Sequence, residues 1–471
     1  MVESSMTRHL TLVLAGAGAL TLLLFGRSPS MAHTQDTLPG RLIVGYWHNF
    51  SNAAGIIRLA QVPDAYDVIN VAFAEPTAAL GSTMRFIPAP ELYVNTQDFV
   101  DEIALLKSRG KKVLISIGGA NAPIQIKSGS DDQNFVSSMR SIITTFGFDG
   151  IDIDLEGQSL VLEVSDKDFR TPTSPLIVNL INALQTLLGE FPQGLLLSAA
   201  PETAFVQGGY GTYGGIYGCY LPVIHALRDK LTYIHVQHYN TGSMFGRDGN
   251  LYQPATRDFH VAMADMLLAG FTVDSFGKKI FFPPLSPAQV LIGLPASADA
   301  AGSGFTPSPD ILAALDYLYL GKSFGGAYHI ASPQGYPGFR GLMTWSINWD
   351  VYSKQIWSRD YRAYLDNLVT DVADIGFRSP GIEGRKLILE PNYPNPFNPV
   401  TVIRYSLLVK SPVRLEVCSA IGETVRVLTD EIQDAGIHEV LFDGSGLASG
   451  IYFCRLQGAN EMRTVRIALV R

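Results

Sequence analysis

Short apolar runs recur between about residues 41 and 365, each followed by a Gly-, Pro- or polar-rich loop and then, in most cases, by a stretch with helical spacing. Residues 42–47, 68–73, 113–117, 150–155, 195–199, 233–237, 290–294 and 341–346 read as strands, and 99–108, 134–146, 176–188 and 259–268 as helices. Strands alternating with helices predict a parallel sheet. Eight such strands within roughly 325 residues fit a (β/α)8 TIM barrel with some long βα loops. A doubly wound open sheet shares the alternation, but no G-x-G-x-x-G or P-loop turn follows the first strand, which removes the usual ligand of that fold.

The texture changes after residue 369. The segments 379–381 and 391–399 are too rich in proline for helix or central strand. Beyond them, 402–407, 413–417, 424–428, 439–442, 450–456 and 464–470 are short alternating runs parted by turn residues, the pattern of a small Ig-like β-sandwich. The expected organisation is a barrel over 41–370, a linker over 371–390 and a C-terminal sandwich over 391–471. Residues 1–32 read as a secretory signal peptide: Arg8 and His9 lead into an uncharged run to Gly26, and Ser30-Met31-Ala32 supplies small residues ahead of a cut before His33. The run is shorter than the ~20 apolar residues a membrane span needs. No membrane insertion is expected after cleavage, and a secreted or cell-surface location follows.

The chain of 471 residues carries 35 basic and 43 acidic side chains, a formal charge of −8. An acidic balance argues against a nucleic-acid partner, because phosphate contacts need a basic face. Three Cys cannot make a disulfide framework, so the core stands on packing. Cys418 and Cys454 fall on different expected strands, and whether they pair depends on a register the sequence does not show.

The octet Asp149-Gly150-Ile151-Asp152-Ile153-Asp154-Leu155-Glu156 carries the chemistry. Strand side chains alternate, so Asp152, Asp154 and Glu156 point one way and Ile151, Ile153 and Leu155 the other. In a barrel the aliphatic trio packs under helices, and the carboxyls line the C-terminal mouth, where barrel active sites sit. Three acids that close cannot all ionise cheaply, so protons are shared and one acid stays neutral near pH 7, able to protonate a leaving group. An exposed acidic strand or a metal site are the alternatives. The interleaved Ile, Ile and Leu argue against the first; no nearby His and no EF-hand match argue against the second. No metal and no cofactor are expected.

At this octet the sequence resembles the family 18 glycoside hydrolases, the chitinases, whose signature D-x-x-D-x-D-x-E lies on the fourth barrel strand. The likeness extends to Gly45-Tyr46-Trp47, Ser116-Ile117-Gly118-Gly119, Ala200-Pro201-Glu202, Gln237-His238-Tyr239-Asn240 and Met343-Thr344-Trp345-Ser346. The wording is closest to compact bacterial chitinases, and the interval 296–340 is too short for the insertion domain common between strands seven and eight. The resemblance implies Glu156 as general acid with the substrate's own 2-acetamido oxygen as nucleophile. It implies that Asp154 binds the acetamido N–H and that Asp152 shares a proton with Asp154. Tyr239 would orient the acetamido carbonyl, and Trp345 would form an apolar floor under the sugar. Tyr46 and Ser116 would hydrogen-bond around Asp152; Gln237 and Asn240 would contact substrate or stand as satisfied buried amides, and Glu202 would lie in the groove. Asp149, of opposite parity, and Gly118 and Gly119, in a close-packed turn, read as structural. His238 reads as a packed histidine, and Trp47 and Trp349 as either platforms or core.

The tail motifs Pro394-Asn395-Pro396-Phe397-Asn398-Pro399 and Ala448-Ser449-Gly450-Ile451-Tyr452 resemble the type A sorting domain of the type IX secretion system. That resemblance makes the tail an address read by secretion machinery; an Ig-like spacer or a carbohydrate-binding sandwich are the alternatives, the second lacking Trp here. The expected function is a secreted endo-acting chitinase, a monomer acting on chitin or chito-oligosaccharides. An endo-β-N-acetylglucosaminidase acting on glycoprotein glycans shares the chemistry. A non-catalytic lectin normally lacks the acid that Glu156 supplies.

Overall fold

The computed structural model describes residues 38–368, 387–389, 392–407, 410–420, 422–434, 436–458 and 461–470. The expected signal peptide over 1–32 lies outside them, as does the expected linker apart from Leu387–Leu389. Two compact units divide at Asn367 and Leu368.

The first unit is a closed barrel of parallel strands: β1 (Leu42–His48), β2 (Val68–Pro76), β3 (Lys112–Gly118), β4 (Gly150–Asp154), β5 (Leu196–Ala199), β6 (Tyr233–Gln237), β7 (Val290–Pro295) and β8 (Gly341–Trp345). Each strand pairs with the next in sequence, and β8 pairs back onto β1, which closes the ring. Every residue of β1, β4 and β6 is buried. Such strands read as continuous apolar runs because helices cover one face and the barrel interior the other. The outer layer includes α1 (Thr96–Ser108), α2 (Gly129–Phe146), α3 (Pro175–Gly189), α4 (Leu221–Leu227), α5 (Arg257–Ala269), α6 (Ser308–Leu320), α7 (Ile347–Tyr352) and α8 (Ile356–Asn367). Their starts follow from local chemistry. Asn95, Ser128 and Thr256 accept hydrogen bonds from backbone N–H groups of the first turns of α1, α2 and α5, and Pro175 opens α3.

One feature departs from the expected element list: an antiparallel hairpin, Phe271–Ser275 with Lys278–Phe282, precedes β7, its turn made by Phe276 and Gly277 at positive φ. Between β7 and β8 there is α6 and loops, with no inserted domain, as the short interval 296–340 led one to expect.

The second unit has two sheets built from β9 (Leu387–Leu389), β10 (Val400–Leu407), β11 (Ser411–Cys418), β12 (Thr424–Gln433), β13 (Gly436–Asp443), β14 (Gly450–Gly458) and β15 (Glu461–Leu469), ordered β9-β10-β13 and β12-β11-β14-β15. Ile403, Tyr405, Leu415, Val417, Phe442 and Leu456 form its core. The strand β9 corrects the linker boundary. Its residues pair antiparallel with Tyr405, Ser406 and Leu407, and Leu387 is fully buried, so the sandwich begins inside 371–390. Cys418 and Cys454 are free thiols. The register sets Cys454 opposite Val417 and Cys418 opposite Phe453, so the two side chains leave opposite faces of the sheet and cannot bridge.

Candidate active site

Pleat parity places Asp152 and Asp154 inside the barrel on β4, while Ile151 and Ile153 are buried on the outer side. Glu156 follows two residues after the strand ends and is half-buried. The acids therefore form a depth series at the mouth, from Asp152 with no exposure, through Asp154 at 3%, to Glu156.

Asp152 is saturated. Its Oδ2 accepts the Tyr46 hydroxyl at 2.6 Å and the Ser116 hydroxyl at 2.7 Å; its Oδ1 accepts the Ser198 hydroxyl at 2.6 Å and lies 3.1 Å from His235 Nε2. Burial alone raises this carboxyl, but His235, Ser198 and Tyr46 outweigh it and hold Asp152 below the usual carboxylate range. Asp154 goes the other way. Burial first, then the charges of Glu156 and Asp152, push it well above that range. Its hydrogen-bonding carboxyl neighbour is Glu156. The expected proton sharing between Asp154 and Asp152 finds no hydrogen bond between them in this conformation: Asp152's oxygens are filled by other partners, and the carboxyl that Asp154 meets is that of Glu156.

Gln237 bridges the upper acids from β6. Its Nε2 lies 3.0 Å from Asp154 Oδ1, 2.9 Å from Glu156 Oε1 and 3.0 Å from the Ala200 carbonyl, so two N–H bonds serve three acceptors. Tyr239 is nearly buried, and its phenol is pushed up by burial and then by the charges of Asp154, Glu156 and Asp152. Trp345, half-buried at the end of β8, rests on Tyr46 at 5.5 Å, His48 at 4.9 Å and Phe73 at 6.0 Å between ring centroids. Glu202 is half-buried at the start of the helical turn Thr203–Val206, and burial and then the charge of Glu156 raise its carboxyl.

Other residues make no side-chain contact with the three acids. Asn240 is exposed at φ +50°, and its Oδ1 accepts Ser303 N–H at 3.2 Å, so its carbonyl end ties β6 to the loop after β7. Asp149 accepts Val113 N–H at 2.9 Å and pairs with Lys107 at 3.2 Å, bracing the β3–β4 edge. Gly118 (φ +99°) and Gly119 (φ +74°) take backbone conformations that side chains disfavour, and a Cβ on Gly118 would collide with the Asp154 carbonyl oxygen. His238 is packed, its Nδ1 lying 3.1 Å from His260 Nδ1, whose Nε2 reaches Thr306 at 2.8 Å. Trp47 is core, with its indole N–H donated to the Ile57 carbonyl. Among the described residues no group of three or more His, Cys, Asp or Glu side chains is arranged to hold a metal ion.

Ser198, His235 and Tyr220 complete the site and went unread in the sequence. Ser198 and His235 carried a usable signal, the inward parity they share with Ala200 and Gln237. Tyr220, whose hydroxyl accepts Leu155 N–H at 2.9 Å, comes from a loop with no periodicity.

A barrel mouth with this acid series has matching relatives. The profile of the glycosyl hydrolases family 18 matches residues 42–317. The chain belongs to that family. The family 18 barrel is 53% identical over 329 residues to "Chitinase D" of Niallia circulans, covering 70% of this chain and 62% of the relative. It is 45% identical over 351 residues to "Exochitinase 1" of Streptomyces olivaceoviridis, covering 72% of this chain and 58% of the relative. The chain thus spans less than two thirds of these relatives' length. A solved family GH18 chitinase from Chromobacterium violaceum superposes with TM-score 0.64 at 37% identity, covering 70% of this chain and 85% of that one. Residues 392–470 match the secretion system C-terminal sorting domain.

Proposed function

We propose that this family 18 barrel hydrolyses the β-1,4 links between N-acetylglucosamine units of chitin, with retention and with the substrate's acetamido group as nucleophile. The observation that carries the reading is the acid series at the barrel mouth: a half-buried Glu156 beyond a buried Asp154, whose carboxyl burial and its acidic neighbours push up, and a saturated Asp152. The proton shared between Asp154 and Glu156 passes to Glu156, which gives it to the glycosidic oxygen as that bond breaks, while the acetamido oxygen closes on the anomeric carbon. Asp154, left as a carboxylate, accepts the acetamido N–H and stabilises the cationic ring. Tyr239 donates to the acetamido oxygen, and Trp345 supplies the apolar floor. Water then opens the ring, giving its proton to the Glu156 carboxylate, which restores the acid.

Tyr46 and Ser116 act through Asp152, and Gln237 holds the two upper acids at one spacing. Glu202 borders the groove, and Asn240 shapes its edge. The lack of an inserted domain between β7 and β8 supports endo action. The match of residues 392–470 to a sorting domain supports export to the medium or cell surface, with that domain as the address; the enzyme acts as a monomer.

The test is the product pattern from colloidal chitin and soluble chito-oligosaccharides, resolved by anomer. Internal cleavage with fresh β-anomer is expected. Fresh α-anomer, or no release at all, overturns the reading; cleavage of a glycoprotein glycan without cleavage of chitin selects the endo-β-N-acetylglucosaminidase alternative.

A further inference from the structure

Glu156 stands beyond the end of the sheet that aims it. On one side β4 is paired with β3 as far as Asp154, whose carbonyl accepts Gly119 N–H at 2.7 Å. On the other it is paired with β5 as far as Ile153, whose carbonyl accepts Ala200 N–H at 2.9 Å. Leu155, buried, is the first residue past both ladders, and at Glu156 the chain already turns, its carbonyl accepting Ser159 N–H at 3.1 Å. Successive side chains alternate faces only while the backbone stays extended, so Leu155 has to remain extended if Glu156 is to share the face of Asp154. A buried N–H and C=O hold that conformation only if something pairs them.

Tyr220, at the start of α4, supplies the partner. Its hydroxyl accepts Leu155 N–H at 2.9 Å and donates to the Leu155 carbonyl at 3.1 Å. In an extended residue the N–H and C=O leave on the same side, which is how two facing residues of an antiparallel ladder exchange both their bonds. One hydroxyl that meets both groups therefore does the work of a strand residue. The Ile153 carbonyl lies 3.5 Å from the same oxygen, which puts Tyr220 on the β5 side, where the ladder has run out. The ring is fully buried, and burial, then the charge of Asp154, push the phenol well above its ordinary range, so it keeps the proton that the double role needs. It is also held from behind: Tyr220 N–H donates to the Phe205 carbonyl at 3.0 Å, and the two rings stack at 6.1 Å between centroids.

We propose that Tyr220 is a positioning residue of the hydrolytic site: its hydroxyl prolongs β4 by one residue past the last paired position, so that Glu156 leaves the strand on the face of Asp154 and meets Gln237 at 2.9 Å. This rests on the role given to Glu156 above. Without the hydroxyl, the Leu155 N–H and C=O are left buried and unpaired, and the backbone regains partners only by rotating, which swings the Glu156 carboxyl away from the glycosidic oxygen it serves.

The experiment uses the full chain. Tyr220→Phe keeps the ring on Phe205 and removes only the hydroxyl, whereas Phe205→Leu trims the packing behind the ring and keeps the hydroxyl. Both are assayed on a chito-oligosaccharide at a temperature where circular dichroism shows them folded. Tyr220→Phe is expected to lower kcat at least about 10-fold with KM within about twofold of the wild type, since a misplacement of about 1 Å costs up to about 10²-fold. Phe205→Leu should leave kcat close to the wild type. A second readout is the Leu155 amide itself. Asp154-Leu155 is the only Asp-Leu peptide in the sequence, so 13C-carbonyl aspartate combined with 15N-leucine isolates that amide. It should exchange with deuterium as slowly as the core strand amides in the wild type, and at least about 10-fold faster in Tyr220→Phe. A wild-type Leu155 amide that exchanges at loop rates overturns the proposal, whether or not the variant folds. So does an unchanged kcat in folded Tyr220→Phe, a rise in KM alone, or an equal loss of kcat in Phe205→Leu. A wild-type chain that releases nothing from chito-oligosaccharides defeats the chitinase reading instead, and amide exchange in wild type and variant still decides whether the hydroxyl holds the end of β4.

Discussion

Glu156 reaches the mouth with one carboxyl oxygen held by Gln237, so Glu156→Gln keeps the polar surface and removes only the transferable proton. Turnover of chito-oligosaccharides should fall at least ~10²-fold, the lower end of general-acid contributions, with substrate binding little changed. Stopped assays with product quantification check this, and equal activity contradicts the assignment. Asp154 makes a prediction about stability. Its folded carboxyl is raised above its unfolded value, so the stability linked to it is full below about pH 4 and is lost as pH rises toward the raised value. Asp154→Asn removes that loss. The variant should be the less active protein and yet, by urea unfolding, the more stable one at pH 8, with the gap closing toward pH 4. The parity of the octet made Asp152, Asp154 and Glu156 legible in the sequence, but not which acid keeps the proton. That depends on Tyr46, Ser116, Ser198 and His235, which arrive from four other strands.

At the scale of elements, β3 and β4 approach so closely that Gly118 has no room for a Cβ, and Gly119 N–H donates to the Asp154 carbonyl at 2.7 Å. Gly118→Ala combines a positive φ with overpacking against backbone and should cost on the order of 2–4 kcal/mol, lowering the unfolding midpoint and activity together. Gly147→Ala, at the left-handed end of α2 where a Cβ would meet open space, should cost only about 1 kcal/mol and spare activity. The barrel strands were readable because each is a compact apolar run between breakers. The hairpin before β7 is outside the expected elements although its turn at Phe276-Gly277 is local. The strand β9 was not readable, since three residues in a proline-bordered stretch acquire strand character only by pairing with β10.

Across the molecule, several buried histidines couple folding to pH. Burial lowers His48 to about 4 and His260 to about 3, and lowers His238 as well, so the folded barrel holds these rings neutral. The unfolded chain binds protons at them from about pH 6.5 downward, so their contribution to stability is full above that value and is lost as pH falls toward 4 and 3. Urea midpoints should therefore decline between pH 6.5 and 4, and His260→Gln should flatten the decline. A slope unchanged by that substitution contradicts the account.

The chain's own pattern determined the strand count, the placing of three carboxyls on one face, and the change from barrel to sandwich, because periodicity, breakers and proline act over a few neighbouring residues. Closure of β8 onto β1, the filling of Asp152 by residues from β1, β3, β5 and β6, and the opposite facing of Cys418 and Cys454 were decided only by tertiary structure. Each is a matter of register between segments far apart in sequence, and register is set by the packing of the whole sheet and not by any local run.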